Sequence, residues 1–450
     1  MYSDIERQIK IAKMSIEEGQ VDKADLINIV KHCLSNDTEQ KSLHDLLELG
    51  HMRDVSRHMH DEESIDTWFE LLVQMIQESN FHVGYMLRQR SDRYRDDTAF
   101  NVINKGHLKT LTYSALWSFV VQVGRSISTF EMEEQKPIIG LITQNQLNGA
   151  LVDLACLSFG YRVIPLPLNA TPEHISYILS HSEITHLFVG GKPGNRLWNE
   201  ANHKDPIIAV SLDNDETTSD LIQWETFLEQ GDGSLDFDID DRLKAVSMTD
   251  IQTIMYTSGT TDNPKGITFN QINMISKRYA RALALPSIGS KDVFLCYLPL
   301  FHTFGRYFEL MGSLFWGATY SFAESPAFNS LLNDFKIVKP TIFISIPKRW
   351  VQLYEMLEDK LDFDSDSQSR IQEELHTITG GSLKWGLSAA GYLDPDIFTF
   401  FHTHGIKVLS GYGMTEATGG ITMTPPGDYP RDSVGKALPG IQLKLEKDGE

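Results

Sequence analysis

The sequence predicts an α/β protein whose parallel sheets are covered by helices on both faces. From Asp97 onward, short apolar strands alternate with stretches of helical periodicity, which is the pattern of a parallel sheet with crossover helices. A second series of the same kind begins at Thr253. The hydrophobic content of 41% and the charged content of 22% are ordinary for a globular chain of this kind.

The first 80 residues carry helical periodicity and many charges, without a strand signal. Ser64 is the predicted N-cap of an amphipathic helix whose apolar positions are Ile65, Trp68, Phe69, Leu71, Leu72, Met75 and Ile76. Such a face usually packs on its own chain, so we expect a helical N-terminal extension over residues 1–80 that packs on the main body. Binding to a partner or to a membrane stays open as the alternative.

The first strand and helix series is predicted element by element from the switch between the two periodicities. Strands are expected at 137–143, 163–167 and 185–189, with helices at 147–160 and 173–181 between them. Residues 190–194, Gly-Gly-Lys-Pro-Gly, predict a turn, because proline removes a backbone donor. The second series runs from Thr253 through Phe294, Ile342 and Leu387 to Val408.

Composition limits the functional classes. With 450 residues and 51.0 kDa, the chain is long enough for two or three domains. The net charge of −21 argues against non-specific nucleic-acid binding and against an anionic membrane surface. Three widely spaced cysteines form neither a disulfide framework nor a zinc pattern. With no apolar run near ~18 residues and no signal peptide, we expect a cytoplasmic protein, with peripheral membrane contact left open.

One loop carries the strongest chemical signal. Residues 256–266 read Tyr-Thr-Ser-Gly-Thr-Thr-Asp-Asn-Pro-Lys-Gly, after an apolar run. Backbone N–H groups at Gly259 and the charge of Lys265 suit a polyphosphate, and four hydroxyls can add to them: Thr257, Ser258, Thr260 and Thr261. The order Lys-Gly excludes the Walker loop, which needs Gly-Lys followed by Ser or Thr. The loop therefore predicts a different polyphosphate site.

Four further blocks accompany this loop. Residues 111–113 read Leu-Thr-Tyr, followed by the run 160–166; residues 298–306 read Leu-Pro-Leu-Phe-His-Thr-Phe-Gly-Arg; residues 411–416 read Gly-Tyr-Gly-Met-Thr-Glu; and residues 433–440 read Ser-Val-Gly-Lys-Ala-Leu-Pro-Gly. With the loop, they resemble the acyl-activating adenylate-forming superfamily over residues 81–450.

Within that superfamily the chain is most similar to long-chain fatty acyl-CoA synthetases. The similarity rests on residues 339–343, Lys-Pro-Thr-Ile-Phe, on residues 346–350, Ile-Pro-Lys-Arg-Trp, and on Arg306. Residues 301–305, Phe-His-Thr-Phe-Gly, are more like medium-chain or aryl-acid relatives. The resemblance therefore favours a long acyl chain and leaves shorter and aryl acids open.

The resemblance implies the large N-terminal domain of such an enzyme, with two stacked βαβ-type sheets and a smaller β-barrel-like subdomain. Residues 81–450 would form this AMP-binding domain, with 430–450 as its truncated final strands and 1–80 as an extra helical extension. The family's small C-terminal domain, with its catalytic lysine, is expected to be absent. On this expectation the isolated chain binds ATP and the acyl substrate but is weak or inactive in turnover.

The resemblance also implies roles for residues, in an ATP-dependent activation of a fatty acid to acyl-AMP and then to acyl-CoA. The loop from Thr257 to Lys265 would hold the β- and γ-phosphates, and Thr415 the α-phosphate. Glu416 and Thr261 would hold Mg²⁺. The adenine would lie against Tyr412 and beside Ala390, Gly391, Gly411, Gly413 and Met414. The expected catalytic residues are His302, Lys265 and Thr415, and the partners are ATP, coenzyme A as co-substrate and a fatty acid; a homodimer stays open.

Three positions depart from the family pattern. Asp262 stands where a glycine is usual in the loop, Gln271 replaces a common histidine, and residues 388–393 read Ser-Ala-Ala-Gly-Tyr-Leu in place of Ser-Gly-x-Ala-Pro-Leu. Two other functions stay open beside the ligase: an acyl-AMP ligase or adenylation domain that loads a carrier protein, and a non-catalytic protein that binds adenylate or acyl groups.

Overall fold

The computed structural model describes residues 4–20, 22–36, 39–59, 61–132, 135–202, 206–213, 220–232, 236–257, 263–425, 430, 432–444 and 446. Its helices are α1 Asp4–Glu17, α2 Lys23–Ser35, α3 Gln40–Gly50, α4 Arg53–His58, α5 Glu62–Glu78, α6 Val83–Arg93, α7 Tyr113–Ser128, α8 Leu147–Phe159, α9 Pro172–His181, α10 Gly191–Glu200, α11 Trp224–Asp232, α12 Ile239–Lys244, α13 Gln271–Ala284, α14 Met311–Trp316, α15 Phe328–Val338, α16 Pro347–Glu358, α17 Gln368–Ile378 and α18 Pro395–Thr403. A π-helix spans Phe304–Leu310, and a short 3₁₀ helix spans Thr415–Ala417.

The strands are β1 Thr98–Asn104, β2 His107–Thr112, β3 Ile138–Ile142, β4 Arg162–Pro165, β5 His186–Val189, β6 Ile208–Ser211, β7 Thr253–Thr257, β8 Lys265–Phe269, β9 Val293–Cys296, β10 Thr319–Phe322, β11 Ile342–Ser345, β12 Trp385–Ser388, β13 Lys407–Met414, β14 Gly419–Met423 and β15 Lys436–Ala437. They form a nine-stranded sheet in the order β15-β14-β13-β12-β11-β9-β10-β1-β2 and a six-stranded sheet in the order β6-β5-β3-β4-β7-β8.

Both sheets are parallel in their interiors and antiparallel only at their edges. The strand pairs from β1 through β13 in the first sheet, and from β6 through β7 in the second, are parallel. The antiparallel pairs are β1–β2, β13–β14, β14–β15 and β7–β8. The predicted α/β class, with two βαβ-type sheets, is therefore confirmed. A separate β-barrel-like subdomain stays a prediction, since the described strands belong to these two sheets.

The predicted elements of the first series lie within a few residues of α8, α9 and β3–β5. The predicted turn at 190–194 is wrong, because helix α10 begins at Gly191. Its Pro193 falls in the first turn, where the missing N–H has no intrahelical partner in any case.

The N-terminal helices pack on the main body. Helix α5 lies against α13, with Trp68, Leu72 and Ile76 fully buried. The hydroxyl of Tyr279 on α13 donates a hydrogen bond of 2.8 Å to the carbonyl of Leu47 on α3. The core is therefore continuous across the predicted division at residue 80, which stays a prediction as a domain boundary.

The start of α5 differs from the prediction. The N-cap is Asp61, three residues before Ser64, and its side chain accepts from the backbone N–H of Ser64 at 2.9 Å. Lys23 of α2 donates to the same carboxylate at 2.6 Å. A carboxylate is a strong cap and also suits the positive end of the helix dipole. The cap therefore ties α5 to α2.

Candidate active site

A cavity of ≈ 800 Å³ opens where strands of both sheets end. It is lined by residues that follow β3 (Gln144, Asn145), β9 (Tyr297, Leu298, Pro299), β11 (Ile346) and β12 (Ala390), and by the end of β13 (Gly413, Met414). The carboxyl edge of a parallel sheet is the usual place for ligands in α/β proteins, because strand ends bring loops from distant segments together. This position makes the cavity the candidate active site.

The predicted phosphate loop connects β7 and β8, two antiparallel strands in which Thr257 lies opposite Lys265. Ser258, Gly259, Thr260, Thr261 and Asp262 lie outside the described residues. Lys265 is exposed at the first position of β8. The loop is thus the connection of a hairpin, and no helix begins directly after it. The described residue directly after the loop, Lys265, begins a strand and not a helix, so the helix N-terminus of the Walker type is missing at this point.

His302 lies in the wall of the cavity together with Thr303 and Phe304. Its backbone N–H donates to the carbonyl of Pro299 at 3.1 Å, and its ring lies 4.6 Å from the ring of Phe301. His302 is exposed at this position, and partial desolvation lowers its pKa below the ordinary value. The neutral imidazole is therefore favoured near pH 7, where it can donate from one nitrogen and accept at the other.

A buried ion pair fixes the segment that follows His302. The Arg306 N–H donates to the carbonyl of His302 at 2.9 Å. The Arg306 guanidinium is fully buried, paired with both oxygens of Asp153 on α8, and donates to the hydroxyl of Thr253 at 2.7 Å. Burial disfavours the charge, but the Asp153 carboxylate raises the pKa of Arg306 above its ordinary value. Because Thr253 begins β7, one side chain connects the histidine segment to the strand that leads into the phosphate loop.

The segment before His302 is held by two residues that the sequence did not single out. The N–H of Leu298 donates to Glu309 at 3.3 Å, and the carbonyl of Leu298 accepts from Asn145 at 3.3 Å. Asn145 also donates to the hydroxyl of Tyr320 at 2.7 Å. Burial raises the pKa of Glu309 well above its ordinary value, because desolvation disfavours the charged form. In the sequence, the only signal for Asn145 is its position as a polar residue after a buried strand.

The block at residues 411–416 forms the other wall of the cavity. Residues Gly411 to Met414 pair with β14, and Thr415 and Met414 line the cavity. Tyr412 is 51% exposed, so its ring presents a face to solvent beside the cavity. Glu416 is exposed in the 3₁₀ helix. The aromatic ring of Tyr412, the hydroxyl of half-buried Thr415 and the carboxylate of Glu416 thus lie within five residues, at the end of β13 and in the 3₁₀ helix.

Residues 388–391 contribute mainly backbone. Ala390 lies in the left-handed region with φ 63° and lines the cavity, whereas its neighbour Gly391 is exposed. Gln271 lies in the core, where it accepts from the N–H of Val83 at 3.2 Å and donates to the carbonyl of Leu157 at 2.7 Å. The substitution of the family's histidine at this position is therefore a packing feature of α13, remote from the cavity wall.

A smaller cavity of ≈ 110 Å³ adjoins the first one, between the π-helix and the β13–β14 hairpin. The two cavities share Thr303, Phe304, Ala390 and Gly413 in their walls. Its lining is otherwise apolar or glycine, except for Arg281, Tyr412 and Thr422. π-Helical turns are frequent at functional sites, and Phe304, the first residue of this one, lines both cavities.

The described part of the chain holds no group of three or more histidine, cysteine, aspartate or glutamate side chains able to bind a metal on its own. Glu416 is the one predicted metal ligand that is described. A single carboxylate fits Mg²⁺ only with phosphate oxygens as further ligands, which is how Mg²⁺ is usually held at nucleotide sites. Among the described helices, none combines the length and apolar composition that crossing a membrane requires.

Among curated proteins, the chain is similar to long-chain acyl-CoA synthetases. The peroxisomal long chain acyl-CoA synthetase 7 of Arabidopsis thaliana is 26% identical over 377 residues, which cover 76% of this chain and 53% of that protein. The long-chain-fatty-acid–CoA ligase 1 of Cavia porcellus is 24% identical over 347 residues, covering 68% and 49%. The chain therefore spans about half the length of the curated relatives it matches.

Solved structures share the fold. A benzoate CoA ligase from Burkholderia xenovorans LB400 superposes with a TM-score of 0.65 at 20% identity, covering 82% of this chain and 68% of that one. The N-terminal domain of FACL13 from Mycobacterium tuberculosis gives 0.64 at 19% identity, covering 79% and 82%. The model of the AMP-binding enzyme family matches residues 87–450, and this chain therefore belongs to the family of AMP-binding enzymes.

Proposed function

We propose that this chain activates a fatty acid with ATP, forming acyl-AMP and pyrophosphate, as part of a fatty acid–CoA ligase. One observation carries the proposal. His302, Ala390, Gly413, Met414 and Thr415, which the sequence assigned to a single site from three separate segments, line one cavity at the strand ends. The curated relatives named above are long-chain acyl-CoA synthetases, which supports a fatty acid as the substrate.

The first step joins two anions, so it depends on positioning and on charge stabilisation. An oxygen of the fatty acid carboxylate attacks the α-phosphorus of ATP. The bond from that phosphorus to the bridging oxygen breaks, and pyrophosphate leaves. In this proposal Lys265 and the loop from Thr257 bind the β- and γ-phosphates, and the Thr415 hydroxyl donates to the α-phosphate. Neutral His302 orients the carboxylate by donating a hydrogen bond to it.

Glu416 would hold Mg²⁺ together with phosphate oxygens, and Thr261 is proposed as a further ligand. The ion would supply neutralisation of the phosphate charge. The exposed ring of Tyr412 offers a stacking face to adenine, and Tyr412 and Ala390 line the same smaller cavity. In the second step the sulfur of coenzyme A attacks the acyl carbon, and AMP leaves. Transfer to a carrier-protein thiol is the alternative second step, and it follows the same activation.

Carboxylate-dependent exchange between ATP and pyrophosphate tests the proposal. It is measured across a ladder of fatty acids and aryl acids, on this chain and, where the natural protein is longer, on that longer protein. Thr415→Ala should lower the exchange rate by about 10²- to 10³-fold, because it removes one donor to the developing charge. Thr377→Ala is the matched control, because Thr377 is an exposed threonine on α17 that is distant in sequence from Thr415.

ATP binding by calorimetry, with and without Mg²⁺, is the second readout. Glu416→Gln should weaken binding only when Mg²⁺ is present. Exchange with long acids would support a fatty acid as the substrate. Thioester formation with coenzyme A and not with a carrier protein would identify a CoA ligase rather than a carrier-loading enzyme. An absence of exchange with every acid, while ATP still binds, would overturn activation and leave a non-catalytic binding protein.

A further inference from the structure

An aromatic ring lies over the base of the hairpin that carries the predicted phosphate loop. Tyr256 and Gly266 are opposite residues of β7 and β8, directly next to the last pair of the two strands, Thr257 and Lys265. A Cβ at Gly266 would come within 3.2 Å of the Tyr256 ring and within 2.9 Å of Ile254. The glycine that follows Lys265 therefore leaves room for the ring to lie over the backbone of β8.

The hydroxyl of Tyr256 is bound by the C-terminal end of α9. It lies 2.7 Å from Nδ1 of His181, the last residue of α9, and 2.6 Å from the hydroxyl of Ser182. A phenol has one proton to donate and can also accept a hydrogen bond. Both contacts are therefore satisfied when Ser182 donates to Tyr256 and Tyr256 donates to the imidazole nitrogen.

The two partners of this hydroxyl are themselves held in place. The imidazole of His181 stacks on the ring of Tyr177, one turn earlier in α9, with ring centroids 5.0 Å apart and an interplanar angle of 21°. Ser182 is buried, and Tyr256 is only 5% exposed. Because a turn of the ring away from α9 would leave the buried hydroxyls without partners, the contacts favour one position of the ring over Gly266.

The position of this ring bears on Lys265, which is exposed at the start of β8. A lysine is a point charge on a flexible stem, so it contributes most to an anion site when the backbone that carries it is already fixed. We propose that Tyr256, bound to His181 and Ser182, is a positioning residue for the polyphosphate of ATP, because it fixes the strand pair from which Lys265 reaches the β- and γ-phosphates. This inference rests on the function proposed above.

Calorimetric binding of ATP and of AMP, each with Mg²⁺, tests this role, because AMP lacks the β- and γ-phosphates. Tyr256→Phe should weaken ATP binding by about 3- to 10-fold, as for the loss of one hydrogen bond, and should leave AMP binding unchanged. An unchanged ratio of ATP affinity to AMP affinity in this variant, or an equal loss for both nucleotides, would overturn the positioning role and leave the activation intact.

The wild type separates this inference from the proposed function. If it bound ATP no more tightly than AMP, the polyphosphate role of the loop would be wrong, and the inference would fail with it. Exchange between ATP and pyrophosphate remains the separate test of activation.

Variants of His181 locate the effect. His181→Ala removes one partner of the Tyr256 hydroxyl and should weaken ATP binding, whereas the amide oxygen of His181→Asn can accept in place of Nδ1 and should keep most of the affinity. His181 is exposed, so both variants should fold and decide the question even if Tyr256→Phe does not. Equal losses of ATP affinity in the two variants would contradict a role for this hydrogen bond.

Tyr161→Phe is the matched control. Tyr161 is a fully buried tyrosine directly before β4 in the same sheet, and its hydroxyl donates to Glu131 at 2.7 Å. This variant also loses one tyrosine hydrogen bond, and it should leave the ratio of ATP affinity to AMP affinity at the wild-type value. A change in that ratio as large as in Tyr256→Phe would mean that the ratio follows general stability, and it would overturn the proposal.

Discussion

At the scale of single residues, the candidate site contains a buried carboxyl group, Glu309, whose pKa is raised by desolvation. Glu309 is fully buried on the π-helix and receives one hydrogen bond, from the N–H of Leu298. Its other oxygen has no partner among the described residues. A protonated carboxyl satisfies this position at low cost, whereas an ionised one would be a buried, unpaired charge.

The raised pKa of Glu309 predicts a pH dependence of stability. Its contribution is fully present below the unfolded value of about 4.5 and is lost as pH rises from there through the folded pKa. In that window the free energy of unfolding should fall by about 1.4 kcal/mol per pH unit from this group. Glu309→Gln keeps the acceptor for Leu298 and removes the titration, so it should flatten this part of the profile.

Urea unfolding of the wild type and of Glu309→Gln at several pH values between 5 and 8 checks this prediction. Glu374→Gln is the control, since Glu374 is a partly exposed member of a surface pair with Lys360. Parallel profiles for wild type and Glu309→Gln would mean that Glu309 is ionised in the folded protein at neutral pH.

At the scale of secondary-structure elements, the Arg306–Asp153 pair joins the π-helix to α8 and, through Thr253, to β7. These elements belong to separate regions of the sequence, and they meet beneath the cavity. The pair is fully buried, so its members cannot be hydrated when the other is removed. The pair therefore sets the position of His302 relative to the strand before the phosphate loop.

Asp153→Ala should lower the free energy of unfolding by about 3–5 kcal/mol, because it leaves the Arg306 charge buried and unpaired. Glu374→Ala removes a carboxylate from the surface pair with Lys360 and should cost at most about 1 kcal/mol. Both changes in the free energy of unfolding are to be measured by chemical denaturation. If both variants lowered the free energy of unfolding by similar amounts, the buried pair would not stabilise the fold more than the surface pair does. The double variant Asp153→Ala, Arg306→Met should regain part of the stability that Asp153→Ala loses, because it removes the unpaired charge.

At the scale of the whole molecule, the N-terminal helices and the AMP-binding region share one core. Trp68 of α5 is completely buried against the main body, and Tyr279 of α13 reaches back to α3. The family match begins at residue 87, so α1–α5 precede it. We expect this part to unfold together with the rest, because separating it would expose the apolar side of α13 to water.

Trp68→Ala should lower the stability of the entire chain by about 3–5 kcal/mol in one cooperative transition. Ile11→Ala is the control, since Ile11 is 54% exposed on α1, and it should change stability by no more than about 0.5 kcal/mol. Denaturation followed by tryptophan fluorescence and by circular dichroism should give coincident curves. An early separate transition in the Trp68→Ala variant would contradict a shared core.

The sequence by itself determined those features that depend on residues close together in the chain. Short apolar runs that alternate with helical stretches located β3–β5, α8 and α9, because buried strands of a parallel sheet are apolar along their length. Motif residues could be assigned because the groups within 256–266 and within 411–416 are close together in the sequence. The order of these blocks also indicated the family.

Only the tertiary structure decided which distant groups meet. Asn145 and Glu309 hold Leu298, and Asp153 pairs with Arg306, across separations that no local pattern encodes. Arg281 carries no motif signal in the sequence, and only the fold places it in the wall of a cavity. The physical reason is that pairing, desolvation and pKa depend on neighbours in space, and those neighbours are fixed by how the two sheets and α13 pack.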